Sequence, residues 1–131
     1  MLKRIIVLSV ILMMSMVCVG YANESPWQYV ETVDNRDIYI NSNSIKSYSQ
    51  VPYDYVKCQV KINNNNGTYK LYLMLINKDT KDWSLPLMET YSNNHELLHR
   101  RNAEGSWDRY EVGIFQNTID AILELEQKGS K

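Results

Sequence analysis

His95-Glu96-Leu97-Leu98-His99 is the stretch of this chain whose residue types and spacing could do chemistry. On a helix, histidines four apart share a face and can bind Zn²⁺, and the glutamate after the first can activate a metal-bound water. A zinc hydrolase built this way would take His95 and His99 as ligands, Glu96 as catalytic base and zinc as cofactor. It would also need a third ligand. The chain has no other histidine, and Asn102 stands where the longer metzincin pattern has glycine. Asp120 or Glu124 could complete the set, although nothing in the pattern aims either at His95.

The elements that must hold these residues count against the metal reading. Ser92-Asn93-Asn94 before the motif and Asn102 to Ser106 after it leave room for about ten helical residues. Only Leu97, Leu98 and Ala103 could anchor such a helix, and ligand geometry needs a well-packed support. As a strand the segment has period two, which puts His95, Leu97 and His99 on one face and Glu96 on the other. The expectation is a surface hairpin with two solvated histidines, no catalytic residue and no cofactor. No G-x-S-x-G, glycine-rich phosphate loop or C-x-x-C occurs, and the carboxylates are scattered over turns rather than paired.

The 131 residues, with 14 basic and 15 acidic side chains, suit one short domain and exclude a two-domain enzyme or a helical transporter. No basic stripe for nucleic acid is visible. Lys3-Arg4, the apolar run Ile5 to Val19 and the small residues of Gly20-Tyr21-Ala22 form the three regions of a signal peptide. Export with cleavage after Ala22 is therefore expected, to the periplasm, the cell surface or the medium. It leaves a domain of residues 23–131 with net charge −3 and no transmembrane helix. Cys58 is then the sole thiol, and the alternation Val56, Cys58, Val60, Ile62 assigns it to the core face of a strand.

Asn66-Gly67 is a strong hairpin signal between Val56–Ile62 and Tyr69–Ile76. A two-residue type I′ turn there would pair Ile62 with Leu71, Val60 with Leu73 and Cys58 with Leu75. Asn77 to Asp82 is a polar turn; Trp83 to Tyr91 is a strand with Trp83, Leu85 and Leu87 on one side and an edge or bulge at Pro86; Glu96 to Arg101 returns as a short strand. Upstream, Trp27–Thr32 and Asp37–Ile40 flank a turn at Asp34-Asn35, and Asn41 to Ile45 forms one helical turn. Val112, Phe115, Ile119 and Ile122 or Leu123 recur at helical spacing, with Gln116, Asp120, Glu124 and Lys128 outside. The fold class expected is α+β, an antiparallel meander with a C-terminal amphipathic helix on one face.

The mature part holds nine tyrosines and three tryptophans, side chains suited to recognition because they join large area to a polar tip. Tyr55, Lys57 and Lys61 share the polar face of their strand, and the expected register sets Tyr72 opposite Lys61, so these four form a candidate binding surface.

The layout resembles the surface-adhesin protein E family of small exported bacterial domains. The resemblance lies in Trp27-Gln28-Tyr29-Val30, in Tyr39-Ile40-Asn41-Ser42-Asn43-Ser44-Ile45, in the two long strands, in Tyr91 to Leu98, in Trp107 and in the helix after Gly113. It implies an antiparallel sheet with a packed helix, display outside the cytoplasm and a non-catalytic binding or adhesion role. The partner it implies is a protein, in some members a host extracellular-matrix protein; a homodimer is a separate expectation for this chain. The chain departs from the family at Asn41, where many members have aspartate. It also lacks the cysteine pair often linking a central strand to the helix, Asn77 lying near the expected first position.

Overall fold

A computed structural model of the chain describes residues 25–103, 105–110 and 115–129. The expected signal peptide at residues 1–22, and Val112 and Gly113 of the expected helix, lie outside the described residues. The elements are β1 (Trp27–Val33), β2 (Arg36–Asn41), a 3-10 turn (Ser42–Ser44), β3 (Lys46–Gln50), β4 (Tyr53–Asn63), β5 (Tyr69–Asn77), β6 (Trp83–Tyr91), β7 (Leu97–Asn102) and the helix α1 (Gln116–Gly129). All pairings are antiparallel, in the order β1-β2-β4-β5-β6-β7. β4 is long enough to pair with β2 along its second half and with β3 along its first. Among the described residues the architecture is thus the expected α+β meander, an open seven-stranded antiparallel sheet with one helix packed on it.

Local chemistry explains most of the turns. Asp34 and Asn35 both take positive φ (51° and 61°), so Val33 pairs directly with Arg36 across a two-residue turn. Asn41 caps the 3-10 turn by accepting a 3.0 Å hydrogen bond from the Asn43 amide. In the β5–β6 turn the Asn77 side chain accepts from the amides of Asp79 and Thr80 at 2.9 and 3.2 Å.

The β4–β5 hairpin departs from the expected register by one residue. Ile62 pairs with Lys70, Val60 with Tyr72 and Cys58 with Met74. The loop is Asn64–Thr68, closed by the Asn64 amide donating to the Thr68 carbonyl at 2.9 Å, and within it Gly67 alone has positive φ. Asn66 instead folds its side chain back to accept from the Thr68 amide and hydroxyl at 3.1 and 2.6 Å. Tyr72, Met74 and Ile76 therefore face the helix, and Leu71, Leu73 and Leu75 face away. Because β5 is apolar on both faces, either register offers the core hydrophobic side chains.

Pro86 sits at a bulge, not at an edge. Leu73 pairs with Leu87 while Leu75 pairs with Ser84, so Leu85 and Pro86 together oppose Met74. The extra residue reverses the alternation: Trp83 and Leu85 face the core, and Leu87 joins Leu73 on the open side, unlike the single apolar side expected.

The core is Ile38, Ile40, Val56, Cys58, Val60, Ile62, Met74, Ile76 and Trp83 under Phe115, Ile119 and Ile122. Burying each such aliphatic side chain contributes about 1.5–3 kcal/mol. Phe115 meets Trp83 edge-on at 5.1 Å between ring centres. The helix lies chiefly over β1, β2 and β4. Its far end is fixed by a buried carboxylate. Glu126 Oε1 accepts from Ser47 Oγ at 2.6 Å and from Lys78 Nζ at 3.0 Å.

The Ser47 hydroxyl, and then Lys78, hold the Glu126 carboxyl below the ordinary glutamate range against the opposing effect of burial. A group depressed in the folded state contributes stability that is complete above the unfolded value of about 4.3 and is lost as pH falls through the folded value. Glu126→Ala is expected to cost about 2 kcal/mol at neutral pH, the scale of a hydrogen bond to a charged group. Urea titrations from pH 7 to pH 3 should show the difference between wild type and Glu126→Gln shrinking as pH falls.

Candidate functional site

The H-E-x-x-H segment is a hairpin and not a helix. The Ser92 amide donates to the Glu96 carbonyl and the His95 amide to the Ser92 carbonyl, closing a turn in which His95 has φ 65°. Ser92 Oγ accepts from the amides of Asn94 and Glu96 at 3.2 Å each. His99 follows on β7 opposite Thr90, which shares a face with Lys70 and Ile62. The ring of His95 instead reaches Tyr69, its Nδ1 lying 2.8 Å from the tyrosine hydroxyl. The paired positions set Tyr69 and His99 on opposite sides of the sheet.

Neither proposed third ligand approaches them. Asp120 accepts from the Tyr110 hydroxyl at 2.7 Å and pairs with Lys81 at 3.5 Å, and Glu124 pairs with Lys128 along the helix at 3.2 Å. Among the described residues, no group of three or more His, Cys, Asp or Glu side chains could hold a metal ion.

The side of the sheet opposite the helix has a different character. Tyr55, Lys57 and Lys61 lie there as expected, together with Gln59 and the outward leucines of β5. Tyr72 does not. It stands opposite Val60 rather than Lys61, half-buried on the core side with its ring 6.3 Å from Phe115, and burial raises its hydroxyl pKa. Two aromatic groups occupy opposite ends of the open face. At one end, Lys61 Nζ lies 5.6 Å from the Trp27 ring and 4.7 Å from the Tyr69 ring, and Tyr69 stacks on Tyr91.

At the other end, Tyr48 stacks on Tyr55 at 5.3 Å, Tyr53 meets Tyr55 edge-on at 6.4 Å, and Trp107 lies 5.7 Å from Tyr55. Tyr53 and Trp107 remain 42% and 44% exposed, values high for rings of that size. Trp107 reaches this face because the neighbouring Asp108 exchanges two backbone hydrogen bonds with Trp83, at 2.9 and 2.7 Å. Beside the cluster, Lys46 stands directly opposite Lys57, and among the described residues neither forms an ion pair. Like charges directly across a strand pair repel.

Of this group the sequence marked Tyr55 and Lys57. Tyr48, Tyr53 and Trp107 carried no local signal, since they meet Tyr55 only through the β3–β4 pairing and the return of the chain to β6. Compared with the protein-family models, the curated proteins and the solved structures, the chain matches none significantly.

Cys58, the other group with intrinsic reactivity, is wholly buried. Burial pushes its thiol up to about 11, only partly offset by the hydrogen bond it accepts from the Ser44 hydroxyl. With residues 1–22 removed, the native protein should leave a disulfide thiol reagent unreacted over hours at pH 8. One equivalent should react once denaturant is added. Rapid native labelling would contradict the burial.

Proposed function

We propose that this chain is an exported, non-catalytic binding module whose open sheet face engages a protein partner. The observation that supports this most is the half-exposed cluster of Tyr48, Tyr53, Tyr55 and Trp107 beside Lys46 and Lys57, which form no ion pair among the described residues. Tyrosine and tryptophan are the side chains that most often anchor protein interfaces, and lysines at a rim steer acidic partners toward them. An acidic side chain set between Lys46 and Lys57 would offset the repulsion between two like charges placed across a strand pair.

The export signal and the resemblance to surface-adhesin protein E domains support display outside the cytoplasm, with an extracellular-matrix protein as the partner class. No helix among the described residues is long and apolar enough to cross a membrane.

The test is binding of the purified chain lacking residues 1–22 to a panel of immobilised extracellular-matrix proteins. Protease shaving of intact cells reports display. Trp107→Ala and Tyr53→Ala should each weaken capture by more than about tenfold, the loss expected on truncating an aromatic anchor, with the unfolding midpoint little changed. Capture unaffected by both substitutions, or no capture by any panel member, would reject this reading of the face. Stoichiometric zinc on the purified chain, released by His99→Ala, would overturn its non-catalytic part.

A further inference from the structure

β7 ends the sheet, and no strand among the described residues pairs with its other side. All six of its residues, Leu97 to Asn102, are exposed. The Ala103 amide donates to the Pro86 carbonyl at 3.0 Å, which fixes the phase of the pairing. In an antiparallel ladder, residues that exchange bonds with the neighbour alternate with residues that do not. Arg101 and His99 therefore direct their backbone groups to β6, and Arg100 and Asn102 turn theirs to the open edge. Each presents one N–H and one C=O with no partner strand among the described residues.

The charge on this edge is uniform in sign. β7 carries Arg100, Arg101 and His99 and has no acidic residue, whereas the chain after residue 22 is net negative. Arg100 is held by Glu89 through two bonds of 2.6 and 3.0 Å, while Arg101 forms no ion pair among the described residues. Leu98, 58% exposed, and Leu97 add apolar area at the strand's start.

We propose that the β7 edge is a strand-addition site for an extended, acidic segment of a partner protein. The added strand bonds the outward groups of Arg100 and Asn102, its alternate apolar side chains pack beside Leu97 and Leu98, and its carboxylates meet Arg101 and His99. A second copy of this chain is the poorer occupant. Antiparallel self-pairing of β7 would bring together the Arg101 side chains of two copies, neither with an acidic partner among the described residues, and like charges across strands repel. The site does not depend on the aromatic cluster of the open face, so the two can fail separately.

The probe is a short blocked peptide alternating valine and glutamate, compared with its valine–lysine counterpart by amide shift perturbation on the chain lacking residues 1–22. The acidic peptide should perturb residues 97–102, with an affinity that falls as salt rises. Arg101→Glu should weaken it about tenfold, equivalent to roughly 1.4 kcal/mol. Asn102→Pro removes an outward N–H while leaving the bonds to β6, a setting in which an edge strand tolerates proline, and should weaken it similarly. Trp107→Ala should leave it unchanged. Equal binding of the lysine peptide, or wild-type affinity in Arg101→Glu, would overturn the proposal even if Asn102→Pro failed to fold. Concentration-dependent dimerisation that Arg101→Glu strengthens would assign the edge to a second copy instead and overturn it equally.

Discussion

The inward alternation of β4 is the constraint on which the remaining structure depends. Val56, Cys58 and Val60 are wholly inaccessible to solvent, and Ile62 almost so. The strand pairs with β5 from Tyr55 to Asn63 on one side and with β3 and β2 in succession on the other. Once its even-numbered residues face the helix, paired positions on three neighbours must follow, because directly opposed residues in an antiparallel pair share a face. Ile38, Ile40 and Met74 are thereby buried, and Tyr39, Tyr48 and Leu73 are turned outward. The helix adds Ile119 and Ile122 to a surface that the strand has already organised.

How much of this was legible in the sequence depended on whether the deciding chemistry was local. Asp34-Asn35, Asn41 and the helical spacing of Phe115, Ile119 and Ile122 act through their own backbone or their own face, and each is found where expected. The β4–β5 register is set by a five-residue loop whose Asn66 side chain competes with the turn the dipeptide would otherwise make. With leucines on one face of β5 and Met74 and Ile76 on the other, hydrophobicity could not discriminate the two phases. β3 gave no periodic signal because an edge strand of Lys46, Ser47, Tyr48, Ser49 and Gln50 buries almost nothing. Glu126 was hidden differently: it occupies the apolar stripe at four residues from Ile122, and its partners Ser47 and Lys78 are remote in sequence.

The candidate site divides along the same line. His95, Glu96 and His99 are adjacent in sequence and carry a familiar pattern, yet a turn with His95 in the left-handed region separates what a helix would have gathered. Tyr55 and Lys57 were visible because alternation alone places them outward. Their partners Tyr48, Tyr53 and Trp107 come from three segments and converge only after the sheet has formed. Surface recognition assembled in this way leaves little trace in a linear motif, whereas a metal site packed into one helical turn leaves a strong one whether or not it is real.

The bulge at Pro86 makes β6 two short segments spliced out of phase. Before it, the helix-side positions are the odd-numbered Trp83 and Leu85; after it, they are the even-numbered Met88 and Thr90. Tolerance to polar replacement along this strand should therefore change parity midway, with Leu87 accepting a hydrophilic side chain more readily than its apolar character suggests. A single-residue deletion at the splice would bring the two segments into one phase. Because the break holds one residue too many, every side chain on either side would keep its present face, whereas straightening the strand with that residue retained would exchange inward for outward positions along one segment.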